Sequence, residues 1–198
     1  DCQVKKESTL GILSVYADSY FEVFDDLSKR AKEVAFSSYP LIVGKTLKRS
    51  NVHRPAYTDF VSVKLFDEEG NVVGEERYIG LYTADAYNRS PHNIPLLRKK
   101  VSKIFERGKM SYDSYDGKSL MNILETFPRD DLFHASVTEL YDMSMGILHL
   151  QERQHIRLFI RKDDFAQYFS CLVFVPRDRF NSRLREKMSN ILMRELVG

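Results

Sequence analysis

The stretch from residue 60 to 82, FVSVKLFDEEGNVVGEERYIGLY, most constrains what this chain can fold into. Val61, Val63 and Leu65 alternate with Ser62 and Lys64, the period of two expected of a half-buried strand. DEEGN then supplies a turn in which Gly70 can take positive φ without a steric penalty. The chain returns through a segment rich in β-branched and aromatic residues. This is a β-hairpin, and the rest of the fold must be built around it.

The flanking segments alternate in type. Apolar residues at Tyr20, Val23, Phe24, Leu27, Ala31 and Val34 step by three and four, marking one face of a helix over 20–34 that Ser37-Ser38-Tyr39-Pro40 breaks. LIVGKTLKR reads as a strand, and residues 50–55 as a loop, since Pro55 disfavours helix at Arg54. Asn93 is placed to cap a helix starting at Ile94, with Pro95 in its first turn and Gly108 at its end. A second helix opens at Asp116-Gly117 and stops before Pro128. Ser136 and Glu139 form a capping box for a third, which Gly146 weakens by about 1 kcal/mol relative to alanine. Ile156, Leu158 and Ile160 alternate with Arg157, Phe159 and Arg161 in a further strand. Residues 168–175 are apolar enough for a central one. A last helix from about Ser182 buries Leu184, Met188, Ile191, Leu192 and Leu196. The expected class is α+β: about five mostly antiparallel strands, with helices inserted between two halves of one sheet. Small sensory modules of the PAS and GAF kind share that plan, an analogy of fold alone.

At 198 residues, 43% hydrophobic and 29% charged, the chain can bury a core and is not wholly disordered. Thirty basic against 28 acidic residues give a net charge of +2, with no pull toward nucleic acid or an anionic membrane. No apolar run approaches the ~20 residues that span a bilayer, and DCQVKKESTL has no signal-peptide core. Cys2 and Cys171 are far apart, and Cys171 sits in the apolar run FSCLVFV, as an inert thiol would. A reducing, cytoplasmic location is expected. The chain starts without Met and stops soon after a helical segment, which suggests a fragment of something longer.

No catalytic constellation stands out. DGKSL (116–120) contains G-K-S, but Tyr112 occupies the position where a phosphate loop needs glycine. No G-x-G-x-x-G occurs among the nine glycines. His53, His92, His134, His149 and His155 show no metal-binding spacing and read as structural. Lys45, Lys48, Arg49, His53 and Arg54 run from a strand end into a loop. They suit either a carboxylate site or, as charge runs usually do, a solvated strand end or domain interface. Asn88 and Arg89, within YNRSP, pose the same choice between a ligand loop and a turn. A third cluster, Arg177, Arg179, Arg183, Arg185 and Lys187, is diluted by Asp178 and Glu186 and lacks the interleaved aromatics of a nucleic-acid surface.

Three blocks carry a resemblance. NVHRPAYTDFVSVKLFDEEGNVVGEERYIGLYTADAYNRSPHNIPLLRKKV (51–101), DGKSLMNILETFPRDDLF (116–133) and FSCLVFVPRDRFNSRLREKM (169–188) resemble the N-terminal regulatory region of large bacterial NAD-specific glutamate dehydrogenases. The likeness runs from about residue 40 to the end of the chain, and is loose before that. It implies a parent chain several times longer, with the catalytic domain far downstream of ACT-like and PAS-like domains. On that basis residues 1–39 are a helical lead-in, 40–175 a PAS-like domain and 176–198 the start of an ACT-like one. The family's catalytic lysine, catalytic aspartate and Rossmann glycines match nothing here. No catalytic, metal or cofactor-binding residue is therefore carried over, and NAD belongs to the parent enzyme. The implied role is subunit assembly and allosteric control, with other domains of the same chain, copies in a homo-oligomer and an amino-acid effector as partners. The effector would lie near Lys45, Arg49, His53, Arg54, Asn88 and Arg89. Exposed apolar faces would favour an interface, and a closed pocket with convergent polar groups a ligand.

Overall fold

Whether the 60–82 alternation buries its apolar or its polar side depends on what covers it. In a computed structural model of the chain, the described residues are 4–15, 29–52, 54–150, 155–165 and 167–196. Cys2, His53 and the part of the expected 20–34 helix before Lys29 lie outside them. The chain divides into two units, residues 1–88 with 164–167 and residues 89–163 with 168–198. Among the described residues no helix is long and apolar enough to cross a membrane.

In the first unit β1 (Leu41–Arg49), β2 (Tyr57–Phe66) and β3 (Val72–Gly80) form an antiparallel sheet in that order. The hairpin turn is as expected. Gly70 has φ 84°, and Asp67 Oδ1 accepts the backbone N–H groups of Glu69 and Asn71 at 3.0 and 2.7 Å. The facing of the strands is not. Phe60, Ser62 and Lys64 point inward with Ile42, while Leu41, Val63 and Leu65 are exposed. Phe60 lies over Gly44, where a β-carbon would meet its ring at 2.5 Å, and Phe165 packs edge-on against it at 5.4 Å. Ala31, Ile42 and Phe60 are the buried apolar residues described in this unit.

Lys64 explains the inversion. It is 4% exposed, and its Nζ donates to Val34 O and Ser37 O, both at 2.7 Å, and to Ser37 Oγ at 2.9 Å. It thus ties the C-terminal end of α1 (Lys29–Phe36), where carbonyls lack helical partners, to the sheet. Burial lowers the pKa of its ammonium group and Glu75 raises it, with burial the larger effect. Lys64→Met keeps the bulk and strips these acceptors of their donor. It should cost about 2 kcal/mol in urea denaturation, and a cost near zero would show the lysine to be incidental. The short α2 (Ala84–Asn88) replaces the turn expected around Tyr87.

The second unit holds most of the buried apolar residues. Leu97, Val101, Ile104 and Phe105 of α3 (Pro95–Gly108) share one face, as the spacing requires. α4 (Tyr115–Thr126) contributes Leu120, Ile123 and Leu124, and α6 (Val137–Leu150) contributes Leu140, Met143 and Ile147. Both α3 and α4 pack on α6. The capping box holds: Ser136 N donates to Glu139 Oε2 at 2.8 Å and Glu139 N to Ser136 Oγ at 3.2 Å. The Asn93 cap does not. Asn93 lies in a 3-10 turn, Pro91–Asn93, and the capping position is Ile94 with no side-chain bond. Pro128, expected only to end a helix, also starts α5 (Arg129–His134). Lys100 Nζ caps the far end of α5, donating to Leu132 O, Phe133 O and Ala135 O at 3.0, 2.7 and 2.7 Å.

β4 (Arg157–Lys162) and β5 (Phe169–Phe174) pair antiparallel in a sheet of their own. The five expected strands are present, but they divide three and two instead of joining one sheet, and β5 is not central. β4 is also turned against expectation. Arg161 is buried and Phe159 sits against Gly146, whose added β-carbon would meet the ring at 2.6 Å. Ile156, Leu158 and Ile160 are exposed. α7 (Ser182–Leu196) buries none of its residues, and Ile191, expected inward, is exposed.

Candidate functional site

The expected basic residues are engaged one by one. Lys45 Nζ donates to Asp59 Oδ1 at 2.8 Å in a mostly buried pair. The Arg49 guanidinium lies over the Tyr57 ring and that of Arg54 over Tyr87, each 4.9 Å from the ring centre. Such stacking occupies a cation without closing a pocket. Asn88 ends α2 in the first unit. Arg89 belongs to the second unit, where its carbonyl accepts from Arg129 Nη2 at 3.1 Å.

Two other features stand out, and each lies within one unit. The first is a pair of outward apolar sheet faces. On the three-stranded sheet, Leu41 opposes Val63 and Val43 opposes Val61, which in turn opposes Tyr78. Directly opposed residues share a face, so these side chains and Leu65 form one patch, with Tyr78 61% and Leu65 45% exposed. On the two-stranded sheet, Leu158 opposes Val173, Ile160 opposes Cys171 and Lys162 opposes Phe169. Leu158, Ile160 and Phe169 are exposed there. Water contact on aligned valine, leucine, isoleucine and aromatic side chains is what a partner surface removes.

The second is a polar cluster sealed behind the β4–β5 hairpin. Arg161 Nη2 donates to Asp131 Oδ1 at 3.0 Å, and Ser170 Oγ to Asp131 Oδ2 at 2.8 Å. Tyr168 Oη lies 3.4 Å from Arg161 Nη2 and 3.3 Å from His134 Nδ1. Arg161 and Asp131 are each almost fully buried. Burial pulls the Arg161 pKa down, but its bonds to Tyr168 and Asp131 outweigh that and leave it raised. Burial also raises the pKa of the Tyr168 phenol. The Cys171 thiol is pushed up by burial and then by the charge of Asp131, so it stays protonated. The mostly buried cluster holds the hairpin on α5. Periodicity missed it because Arg161 occupies a position that alternation assigns to solvent. The signal that could have found it was the unmatched charge pattern of PRDDLF and LFIRK.

Comparison with known proteins gives a consistent result. Residues 94–153 match the family model described as glutamate dehydrogenase, helical motif 1, and residues 157–198 match glutamate dehydrogenase, ACT2 domain. The ACT2 match thus takes in β4 and β5 as well as α7. The chain is 38% identical over 192 residues to the NAD-specific glutamate dehydrogenase of Halomonas elongata, covering 96% of this chain and 12% of that protein. It is 40% identical over 174 residues to that of Pseudomonas aeruginosa, covering 87% and 11%. For that of Mycobacterium tuberculosis the figures are 30% over 158 residues, 80% and 10%. The chain spans about a tenth of the length of these relatives.

Proposed function

We propose that this chain, which fits the N-terminal region of a large NAD-specific glutamate dehydrogenase, is a non-catalytic regulatory and assembly segment of that enzyme. The parent reaction is the NAD-dependent conversion of L-glutamate and water to 2-oxoglutarate and ammonia, in the cytoplasm. Its chemistry lies outside these residues. The described sheets are antiparallel, with no strand, glycine turn and helix to cradle a pyrophosphate. In this reading NAD belongs to other residues of the parent, and no step of the reaction is placed on these.

What carries the reading is the facing of both sheets. Each leaves apolar side chains facing solvent, Leu41, Val63, Leu65 and Tyr78 on one and Leu158, Ile160 and Phe169 on the other, which is costly unless a partner covers them. The partners are other domains of the same chain and further copies in a homo-oligomer. The remainder of an ACT-like domain is one such cover for the β4–β5 face. Amino-acid sensing at the basic cluster is the weaker reading, because Lys45, Arg49 and Arg54 already engage neighbours of their own.

The test is the double substitution Val63→Glu/Leu65→Glu in the full-length parent. Both side chains are exposed in the isolated segment, so the 198-residue chain should keep its circular dichroism and melting temperature. In the parent, mass photometry should find smaller species, or activity should lose its dependence on effectors. An unchanged assembly with unchanged regulation would remove the proposal.

A further inference from the structure

We infer that an open cavity on the outer side of α3 is a binding site for a small polyanion, a molecule carrying two carboxylate or two phosphoryl groups. The cavity has a volume of about 310 Å³ and is lined by His92, Arg98, Lys99, Ser102 and Tyr112. That is at the lower end of the range for small-molecule sites. All five lining residues lie in the second unit.

Three of them come from the helix itself. Ser102 is four residues after Arg98 and three after Lys99, so the three neighbour one another on one face. The buried face of α3 carries Leu97, Val101, Ile104 and Phe105 instead. His92 is delivered by the 3-10 turn that precedes the helix. Tyr112 is delivered by the reversal after it. Lys109 takes φ 50°, the one non-glycine residue with positive φ among those described, with its N–H donating to Glu106 O. Met110 N donates to Phe105 O at 3.1 Å, completing the turn. The chain thereby folds back over the helix, and Tyr112 stacks on Phe105 at 4.1 Å with a 17° interplanar angle. Its ring lies 5.2 Å from that of His92. Lys109 is the left-handed C-cap of α3, a common way for a helix to end.

The chemistry of the wall is one-sided. Two permanent cations, an imidazole, a hydroxyl and a phenol can all donate hydrogen bonds, and no carboxylate is among them. Two other cations on α3 have protein partners, while Lys103 is exposed outside the cavity. Lys100 is held by three carbonyls, and Arg107 by Thr138 Oγ1 at 2.9 Å and the Tyr141 ring at 4.7 Å. Arg98 and Lys99 make no ion pair among the described residues. Adjacent like charges without an acid repel, and an anion with two charged groups relieves both at once.

The experiment is calorimetric titration of the 198-residue chain with inorganic pyrophosphate and, separately, with succinate, at low salt. One of the two should bind saturably at a single site, and the choice between them names the source of the charge. Arg98→Ala/Lys99→Ala should weaken binding at least tenfold. The charge-matched control Lys103→Ala/Lys118→Ala, on exposed residues outside the cavity, should leave it within twofold. Binding should also weaken as sodium chloride is raised. No saturable binding of either probe, or equal loss in both variants, overturns the proposal. Neither outcome bears on the assembly role, which the sheet-face substitutions address.

Discussion

Arg161→Ala is expected to lower the unfolding free energy of this chain by about 3–5 kcal/mol, the cost of leaving a buried partner charge uncompensated. The size follows from geometry. Asp131 keeps only the Ser170 hydroxyl once the guanidinium is gone, with its side chain 8% exposed. Urea denaturation of the segment measures the effect, and a loss below about 1 kcal/mol would mean that solvent enters the cluster. Arg161→Met/Asp131→Leu separates pairing from burial. Removing both charges should recover much of the loss, since a well-packed apolar replacement is often neutral or better. The same cluster predicts the alkaline limit of stability. The fold raises the pKa of the Tyr168 phenol above its ordinary value of 10.0, so the native state holds that proton more tightly than the unfolded chain. The stability this provides is fully present below pH 10 and is lost as pH rises through the folded value. Tyr168→Phe should flatten that decline, and an unchanged alkaline slope in the variant would assign the limit to another group.

Gly117→Ala is the second large effect, at about 3 kcal/mol, and it arises from a single methyl group. A β-carbon at 117 would lie 1.9 Å from the Ser111 carbonyl oxygen and 2.9 Å from Ser114 Oγ. Backbone cannot give way as the tip of a flexible side chain can. The substitution must therefore shift the start of α4 and strain the cap in which Ser114 Oγ accepts from Gly117 N at 3.0 Å. Gly108→Ala is the internal control. Its new carbon would meet nothing nearer than Met110 Cγ at 3.5 Å, and alanine is the better helix former by about 1 kcal/mol. Thermal melts of the two variants should move in opposite directions or leave Gly108→Ala unchanged. Equal losses would show that the clash at 117 is relieved by local movement.

Local signals in the sequence read well where the interaction itself is local. The Gly70 turn and the Ser136–Glu139 box each close within a few residues, so residue type and spacing suffice to specify them. The resemblance in the three blocks also led to glutamate dehydrogenase, which the two family models and three relatives bear out. Capping at Asn93 failed because a 3-10 turn absorbed that residue before the helix began. Helix α5 was missed because Pro128 was read as an end, although proline is also well placed just before a helical start.

By itself, then, the sequence determined where the strands and the longer helices lie, the mixed α+β class and the family to which the blocks point. Only the tertiary structure decided which side of each strand is buried and how the strands divide into sheets. Alternation defines two faces but cannot say which one the rest of the chain covers. In β2 the polar face is inside because Lys64 meets the carbonyls of Val34 and Ser37, about thirty residues earlier. In β4 it is inside because Arg161 meets Asp131, again thirty residues away. Partners that distant leave no periodic trace. The apolar faces that remain outside follow from those long-range pairings, not from the order of residues along either strand.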